Sequence, residues 1–197
     1  YESRPGTNYV ESYFEVAGFT EQVVEKDGDL IITRGFDDNF YVPKLKYSEK
    51  RIINDKYVTF TPEGSGWGGK ELKIDKWVPI ISTLIEKGYK IVFTSNVYKN
   101  NFLDDNFIHN QDNNFDLLLN YIAYSSAHFG ADNAPMHIST AFDKPTFIVS
   151  GAALTKYTTK SSKIFSVVNE NLTCLGCKHR FFYGIKNNSV TFVPDCE

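Results

Sequence analysis

Cysteine is scarce in this sequence and placed poorly for crosslinking. Cys174, Cys177 and Cys196 all fall in the last 24 of 197 residues. An odd, clustered count excludes the paired disulfide framework of small secreted domains and points to a reducing, cytoplasmic setting. Long apolar runs are missing as well. None reaches the roughly 18 residues that span a bilayer, so a transmembrane role is excluded and only peripheral membrane contact stays open. Neither sign of charge is in excess. The 21 Lys and Arg against 24 Asp and Glu leave a net charge of -3, with no basic stripe, which argues against a nucleic-acid partner. The opening YESRPGTNYVE has no basic-then-apolar pattern and is no secretory signal. It also has no initiator Met, which reads as a fragment of something longer. There is no GxSxG, no HExxH and no paired-carboxylate spacing.

What is present suits one sizeable core, with 42% hydrophobic and 23% charged residues. TNYVESYFEVAGF reads as an amphipathic helix stopped by Gly18, and LIITR (30–34) as a short strand. Residues 35–56 are charged and irregular and suit a linker. From Tyr57 onward strands and helices alternate. YVTFT (57–61), KIVFTS (90–95), AHFGAD (127–132), PTFIVSG (145–151) and KIFSVV (163–168) read as strands. Residues 74–88, 115–125 and 134–142 read as helices. Trp77, Ile80, Ile81, Leu84 and Ile85 form the stripe of the first helix. Phe115, Leu118, Leu119 and Ile122 form that of the second. Pro79 falls in the early turns of the first helix, and Gly88 stops it. The Asn/Asp-rich stretch 96–114 reads as a long loop in which Asp104, Asp105, Asp112 and Asp116 are solvated. Continuous apolar strands between helices predict an α/β fold, a Rossmann-like parallel sheet with helices on both faces. Ligands of such sheets lie beyond the carboxyl ends of the strands. Those ends are here Thr61–Gly69, Ser95–Asn96, Asp132–His137 and Ser150–Thr155.

Three constellations carry chemistry. In Pro62-Glu63-Gly64-Ser65-Gly66-Trp67-Gly68-Gly69-Lys70, four glycines allow a tight turn whose N–H groups face an anion, and Lys70 adds a point charge. It is not a P-loop, since Glu71 stands where Ser or Thr is required. A flexible surface turn is the plain alternative. In Asp132-Asn133-Ala134-Pro135-Met136-His137, Asn133 is a good N-cap and Pro135 fits a first turn. The helix start then offers N–H groups and a positive dipole end to an anion, and His137 can reach a phosphate oxygen. Alternatively His137 packs in the core. Cys174-Leu175-Gly176-Cys177-Lys178-His179 with Cys196 suits a tetrahedral metal, the three thiolates and His179 making four ligands, or is a set of unmetallated cysteines or a redox CxxC. His109 and His128 have no partner pattern, and His128 reads as structural.

The order of these segments resembles the donor-binding domain of the heptosyltransferase-like glycosyltransferases, family 9. Residues 57–96, running from YVTFTPEGSGWGGK into a Trp77-containing helix and KIVFTSN, are similar to the opening of that domain, with Lys70 in place of its lysine. FGADNAPMHISTAFDKPTFIVSG resembles its strongest signature, and Asp132, His137, Lys144, Pro145 and Thr146 match by position. Where many members carry Thr-Gly, this chain has Asn133-Ala134, which leaves a main-chain phosphate contact and weakens a hydroxyl contact. The cysteine segment is similar to the iron-holding motif of protein O-heptosyltransferase relatives, although three cysteines stand here for four.

The resemblance is good over residues 57–170 and loose over 1–56. It implies a two-lobed GT-B enzyme of lipopolysaccharide biosynthesis or protein glycosylation. Residues 1–56 would be the end of the first lobe and the linker, 57–170 the nucleotide-sugar-binding domain, and 171–197 a Cys-containing extension. Ser65, Gly66, Lys70, Ser95, Asp132, Asn133, Ala134 and His137 would bind the donor, ADP-heptose. Lys70 would stabilise the leaving phosphate without a divalent metal. A glycan or protein hydroxyl would accept the sugar, and this stretch alone would bind donor yet transfer poorly. A non-catalytic nucleotide-binding scaffold and a metal-binding interaction module are the rival readings.

Overall fold

The computed structural model describes residues 22–26, 29–33, 45, 47–64, 72–95, 97–98, 101–110, 114–151, 154, 159, 161–171, 183–186 and 189–192. Strands β1 (Gln22–Lys26) and β2 (Asp29–Thr33) pair antiparallel as a two-stranded sheet. The main sheet begins with β3 (Tyr57–Thr61), followed by α1 (Ile74–Glu86), β4 (Lys90–Phe93) and β5 (Phe107–His109). The chain continues through α2 (Phe115–Tyr124), β6 (His128–Gly130), α3 (Ala134–Ala141), β7 (Thr146–Ser150) and β8 (Ile164–Val168). Strands β9 (Tyr183–Lys186) and β10 (Ser189–Phe192) form a second antiparallel pair.

The six central strands lie in the order β5-β4-β3-β6-β7-β8, and every pairing is parallel. This is the expected α/β Rossmann-like sheet. It explains why β3 is buried at all five positions: a central parallel strand is covered on both faces and reads as a continuous run.

The two faces differ in chemistry. On the face that meets α1, one aromatic ring per strand stands in register: His109, Phe93, Phe60, Phe129, Phe147 and Phe165 from β5 to β8. Successive ring centroids are 5.2, 5.7, 6.2, 4.7 and 4.9 Å apart. Trp77 of α1 meets Phe60 edge-on at 5.1 Å, and Ile81, one turn later, closes the same cluster. The opposite face carries Tyr57 and Val92 against Tyr121 of α2, and Leu119 and Ile122 of α2 against Ile138 of α3. It also buries Thr59, Thr61, Thr94, His128, Ser139 and Thr146.

Several expectations need correction. The stretch 96–114 contains β5, three residues too short to show an alternation among the asparagines. Strands β1, β9 and β10 were not expected, and the helix expected over TNYVESYFEVAGF lies outside the described residues. Pro79 is the sixth residue of α1, past the first turn, so it costs the helix one backbone bond. Ile80 and Phe115 point to solvent rather than into the stripes, being 40% and 59% exposed. Gly88 does end α1, at φ +77°, with its N–H on the Ile85 carbonyl. The described part of the linker, 47–56, is held against α2. Asn120 Nδ2 donates to the Lys50 and Ser48 carbonyls at 3.0 and 3.3 Å, and Tyr47 packs edge-on against Tyr124.

The ladder runs from full burial at Phe60 to 49% exposure at Phe165. Phe60→Ala should therefore cost about 3–5 kcal/mol of unfolding free energy, and Phe165→Ala less than about 1 kcal/mol. Urea unfolding of both variants checks this, and equal losses would contradict it.

Candidate functional site

The chain lays down β3, β4 and β5 outward in one direction, then returns to place β6 beside β3 and runs outward the other way. The β3–β6 boundary is thus the switch point of the sheet, where open α/β folds leave a crevice at the carboxyl edge. The two strands approach closely there. Ala131 N–H donates to the Thr61 carbonyl at 3.1 Å. A Cβ on Gly130 would stand 2.2 Å from that carbonyl oxygen, so only glycine fits.

Asn133 organises this edge. Its Oδ1 accepts from Met136 N–H at 3.1 Å and caps α3. Its Nδ2 donates to the Thr61 and Glu63 carbonyls at 3.2 and 2.9 Å, tying the turn after β6 to the turn after β3. Both ends of the side chain are therefore used within the protein. Pro135 has no N–H, and His137 N–H points at the Asn133 carbonyl at 3.5 Å. The Ala134 N–H is the first-turn donor that no described residue takes. Asp132 is buried beside the helix start, with Oδ1 3.9 Å from His137 Nε2. The His137 side chain is 49% exposed, which overturns the core-packed alternative.

Ser95 lies at the end of β4, and its hydroxyl donates to the Glu63 carboxylate. Thr61 and Thr94 join hydroxyls between the same strands. The structure thus gathers Ser95, Asp132, Asn133, Ala134 and His137 at one edge. It adds Glu63, which sequence reasoning passed over inside the Gly-rich turn. The available signal was an acid two residues beyond a strand end. Ser65, Gly66 and Lys70 lie outside the described residues, as do Cys174, Cys177, His179 and Cys196. Among the described residues no three His, Cys, Asp or Glu side chains stand close enough to hold a metal ion.

Lys144, Pro145 and Thr146 occupy the other edge, at the amino end of β7. Thr146 Oγ1 bonds the Lys144 carbonyl and the Ser139 hydroxyl at 2.9 and 2.8 Å, so this part of the motif closes the α3–β7 turn. Burial, with Lys163 nearby, lowers the Lys144 ammonium pKa, and Asp143 opposes this.

His128 sits beneath the switch point, fully buried, with Nδ1 3.1 Å from Thr59 Oγ1. No described residue bonds its Nε2. Burial pulls its pKa from 6.5 down to about 3. The ring is a structural member of the β3–β6 pair, as the sequence suggested.

The model of glycosyltransferase family 9 (heptosyltransferase) matches residues 2–181. Among solved structures, ADP-heptose LPS heptosyltransferase II of E. coli superposes with a TM-score of 0.62 at 16% identity, over 82% of this chain and 54% of that one. The family 9 glycosyltransferase of Veillonella parvula DSM 2008 gives 0.60 at 12% identity, over 84% and 50%. The iron-containing dodecameric glycosyltransferase TibC from enterotoxigenic E. coli H10407 gives 0.55 at 17% identity, over 77% and 39%. The chain thus spans about half the length of the solved proteins it resembles, or less. No curated protein sequence matches.

Two outcomes follow from this geometry. Asn133→Ala removes both the cap and the tie and should cost about 2 kcal/mol. Asn133→Ser keeps a capping oxygen without the tie and should cost about half of that, as chemical denaturation of the pair would show. For His128, the folded pKa lies below the unfolded one, so the unfolded chain takes up its proton first. Its contribution is whole above pH 6.5 and is lost as pH falls towards 3. Between pH 7.5 and 5 the melting temperature should fall more steeply in the native chain than in His128→Asn. Parallel slopes would contradict the assignment.

Proposed function

The chain belongs to glycosyltransferase family 9, and on that basis we propose that it is the donor-binding part of a heptosyltransferase, taking ADP-heptose at the β3–β6 switch point. The observation that carries this reading is the Asn133-capped start of α3 at that edge, with Asp132 and His137 beside it. A helix start supplies an oriented N–H group and the positive end of a dipole, which favour a diphosphate. E. coli WaaC was solved with ADP, and TibC in complex with ADP-D-beta-D-heptose. They carry the same fold.

In the proposed reaction an acceptor hydroxyl attacks the anomeric carbon of the donor. Its proton passes to a general base. The bond from that carbon to the diphosphate oxygen breaks, and ADP leaves with the electron pair. Charge grows on the departing phosphate, where electrostatic stabilisation contributes most. The Ala134 N–H, the dipole of α3 and Lys70 would supply it, and Ser65 and Gly66 would also bind the donor. His137 reaches the outer phosphate from the first turn of α3, and Asp132 holds its ring. Asn133 acts through architecture, since its side chain is committed to the cap and the tie. The acceptor in this reading is a glycan or a protein hydroxyl, and the chain spans only part of its relatives' length.

A cytoplasmic location belongs to the same proposal, and no helix among the described residues is long and apolar enough to cross a membrane. Iron or zinc at Cys174, Cys177 and Cys196 would be an addition to the donor site, readable by elemental analysis of the purified chain.

Calorimetry against ADP, UDP and GDP tests the proposal. ADP should bind selectively without added divalent cation. Lys70→Ala and His137→Ala should each weaken it by about 1–3 kcal/mol with the melting temperature kept. No binding of any of the three would favour the scaffold reading.

A further inference from the structure

The outermost strand on the β4 side of the sheet carries a surface that the donor chemistry does not use. Strand β5 pairs only with β4. Across that ladder Ile91 N–H donates to the Asn106 carbonyl and Asn110 N–H to the Phe93 carbonyl, at 2.8 and 2.9 Å. In a parallel pair of this register Ile108 turns its main-chain groups to β4, while Phe107 and His109 turn theirs outward. The Asp104 carbonyl takes the Phe107 N–H at 3.1 Å. The Phe107 carbonyl and both main-chain groups of His109 bond to no described residue.

A cavity of about 450 Å³ is lined by β5, by Phe102 and Leu103, and by Leu117 and Tyr121 of α2. Phe102 packs with the cluster on one face of the sheet, Leu117 and Tyr121 with the cluster on the other. The cavity therefore wraps the free edge of β5. Its first wall is preformed. The Phe102 ring stacks on Phe93 at 5.1 Å, and the Phe102 carbonyl accepts from His109 Nε2 at 3.0 Å. Leu103 beside it is 79% exposed. Open edges are templates for a further strand, and proteins blunt them with lysine, proline or charge. The three residues of β5 include none of these.

Charge decides what can lie there. Residues 101–124 contain Asp104, Asp105, Asp112 and Asp116 and no Lys, Arg or Glu. Asp104 and Asp105 follow Leu103 on one wall, Asp116 precedes Leu117 on the other, and all three are exposed. A second copy paired edge to edge would bring the same carboxylates together. A basic strand would be attracted, with main-chain bonds giving affinity and the cavity selecting a side chain.

We propose that the outer edge of β5 docks an extended basic segment of a partner protein. The segment adds a seventh strand to the sheet, seats one large apolar side chain in the cavity, and sets lysines or arginines against Asp105 and Asp116. This surface is separate from the β3–β6 switch point and does not rest on the donor reading.

The probe is a labelled, end-capped peptide, Lys-Val-Lys-Leu-Lys-Val-Lys, compared by fluorescence anisotropy on the full chain with its counterpart carrying Glu for every Lys. The basic peptide should bind at least about tenfold more tightly, and its affinity should fall as salt rises. Amide exchange should show the His109 N–H gaining protection on binding. Leu103→Ser, at a solvent-facing position, should weaken binding about tenfold. Asp105→Lys combined with Asp116→Lys should bring the two peptides within about threefold of each other. The melting temperatures of these surface variants should match the native one, which separates lost docking from lost fold. General attraction between a cationic peptide and an acidic chain would leave the Leu103→Ser affinity and His109 exchange unchanged, and that overturns the proposal. So would failure of the basic peptide to bind, or equal binding of both peptides by the native chain. A dimer seen in sedimentation and abolished by Leu103→Ser would also overturn it, by assigning the edge to a second copy.

Discussion

Everything in this molecule depends on β3 and β6 lying side by side. The two strands are separated by more than sixty residues of chain, yet Thr59 pairs with His128, Phe60 with Phe129 and Thr61 with Gly130. The contact is permitted by the absence of a side chain at Gly130, because any Cβ would collide with the Thr61 carbonyl. From this one close approach follow the switch point, the position of α3 and the crevice at the carboxyl edge. It also explains why a neutral histidine can be buried there: His128 is sealed between the paired strands, with Thr59 as its partner.

The sheet separates two kinds of interior. One face is a ladder of aromatic rings crossing all six strands, covered near its centre by Trp77 and Ile81. That face supplies apolar burial and fixes register, since a slip of one residue would turn every ring to the other side. The opposite face carries hydroxyls and one imidazole, satisfied mostly by neighbouring strands and by α3. Chemistry is found where this polar face reaches the carboxyl edge, and the aromatic face serves as its support.

Asn133 shows how architecture and recognition share a residue. Its amide caps a helix with one end and pulls two turns together with the other. A threonine at this position could cap, but it lacks the amide that reaches two carbonyls. The family signature likewise divides between edges. Its Asp132–His137 part lies at the crevice, while its Lys144–Thr146 part closes a turn at the far end of the sheet.

Local sequence determined the strands and helices from Tyr57 to Val168 other than β5, because apolar runs and helical stripes depend only on neighbours along the chain. It also announced the α3 start through Asn133 and Pro135, and the end of α1 through Gly88. Tertiary structure alone decided three things. It placed β5, whose three residues gain strand character only by pairing with β4. It turned Ile80 and Phe115 outward and docked residues 47–56 on α2, since helical spacing gives a face and not its neighbour. And it brought Glu63, Ser95 and Asn133 into one group. Those three stand on three separate turns, and only the strand order β4-β3-β6 makes them adjacent.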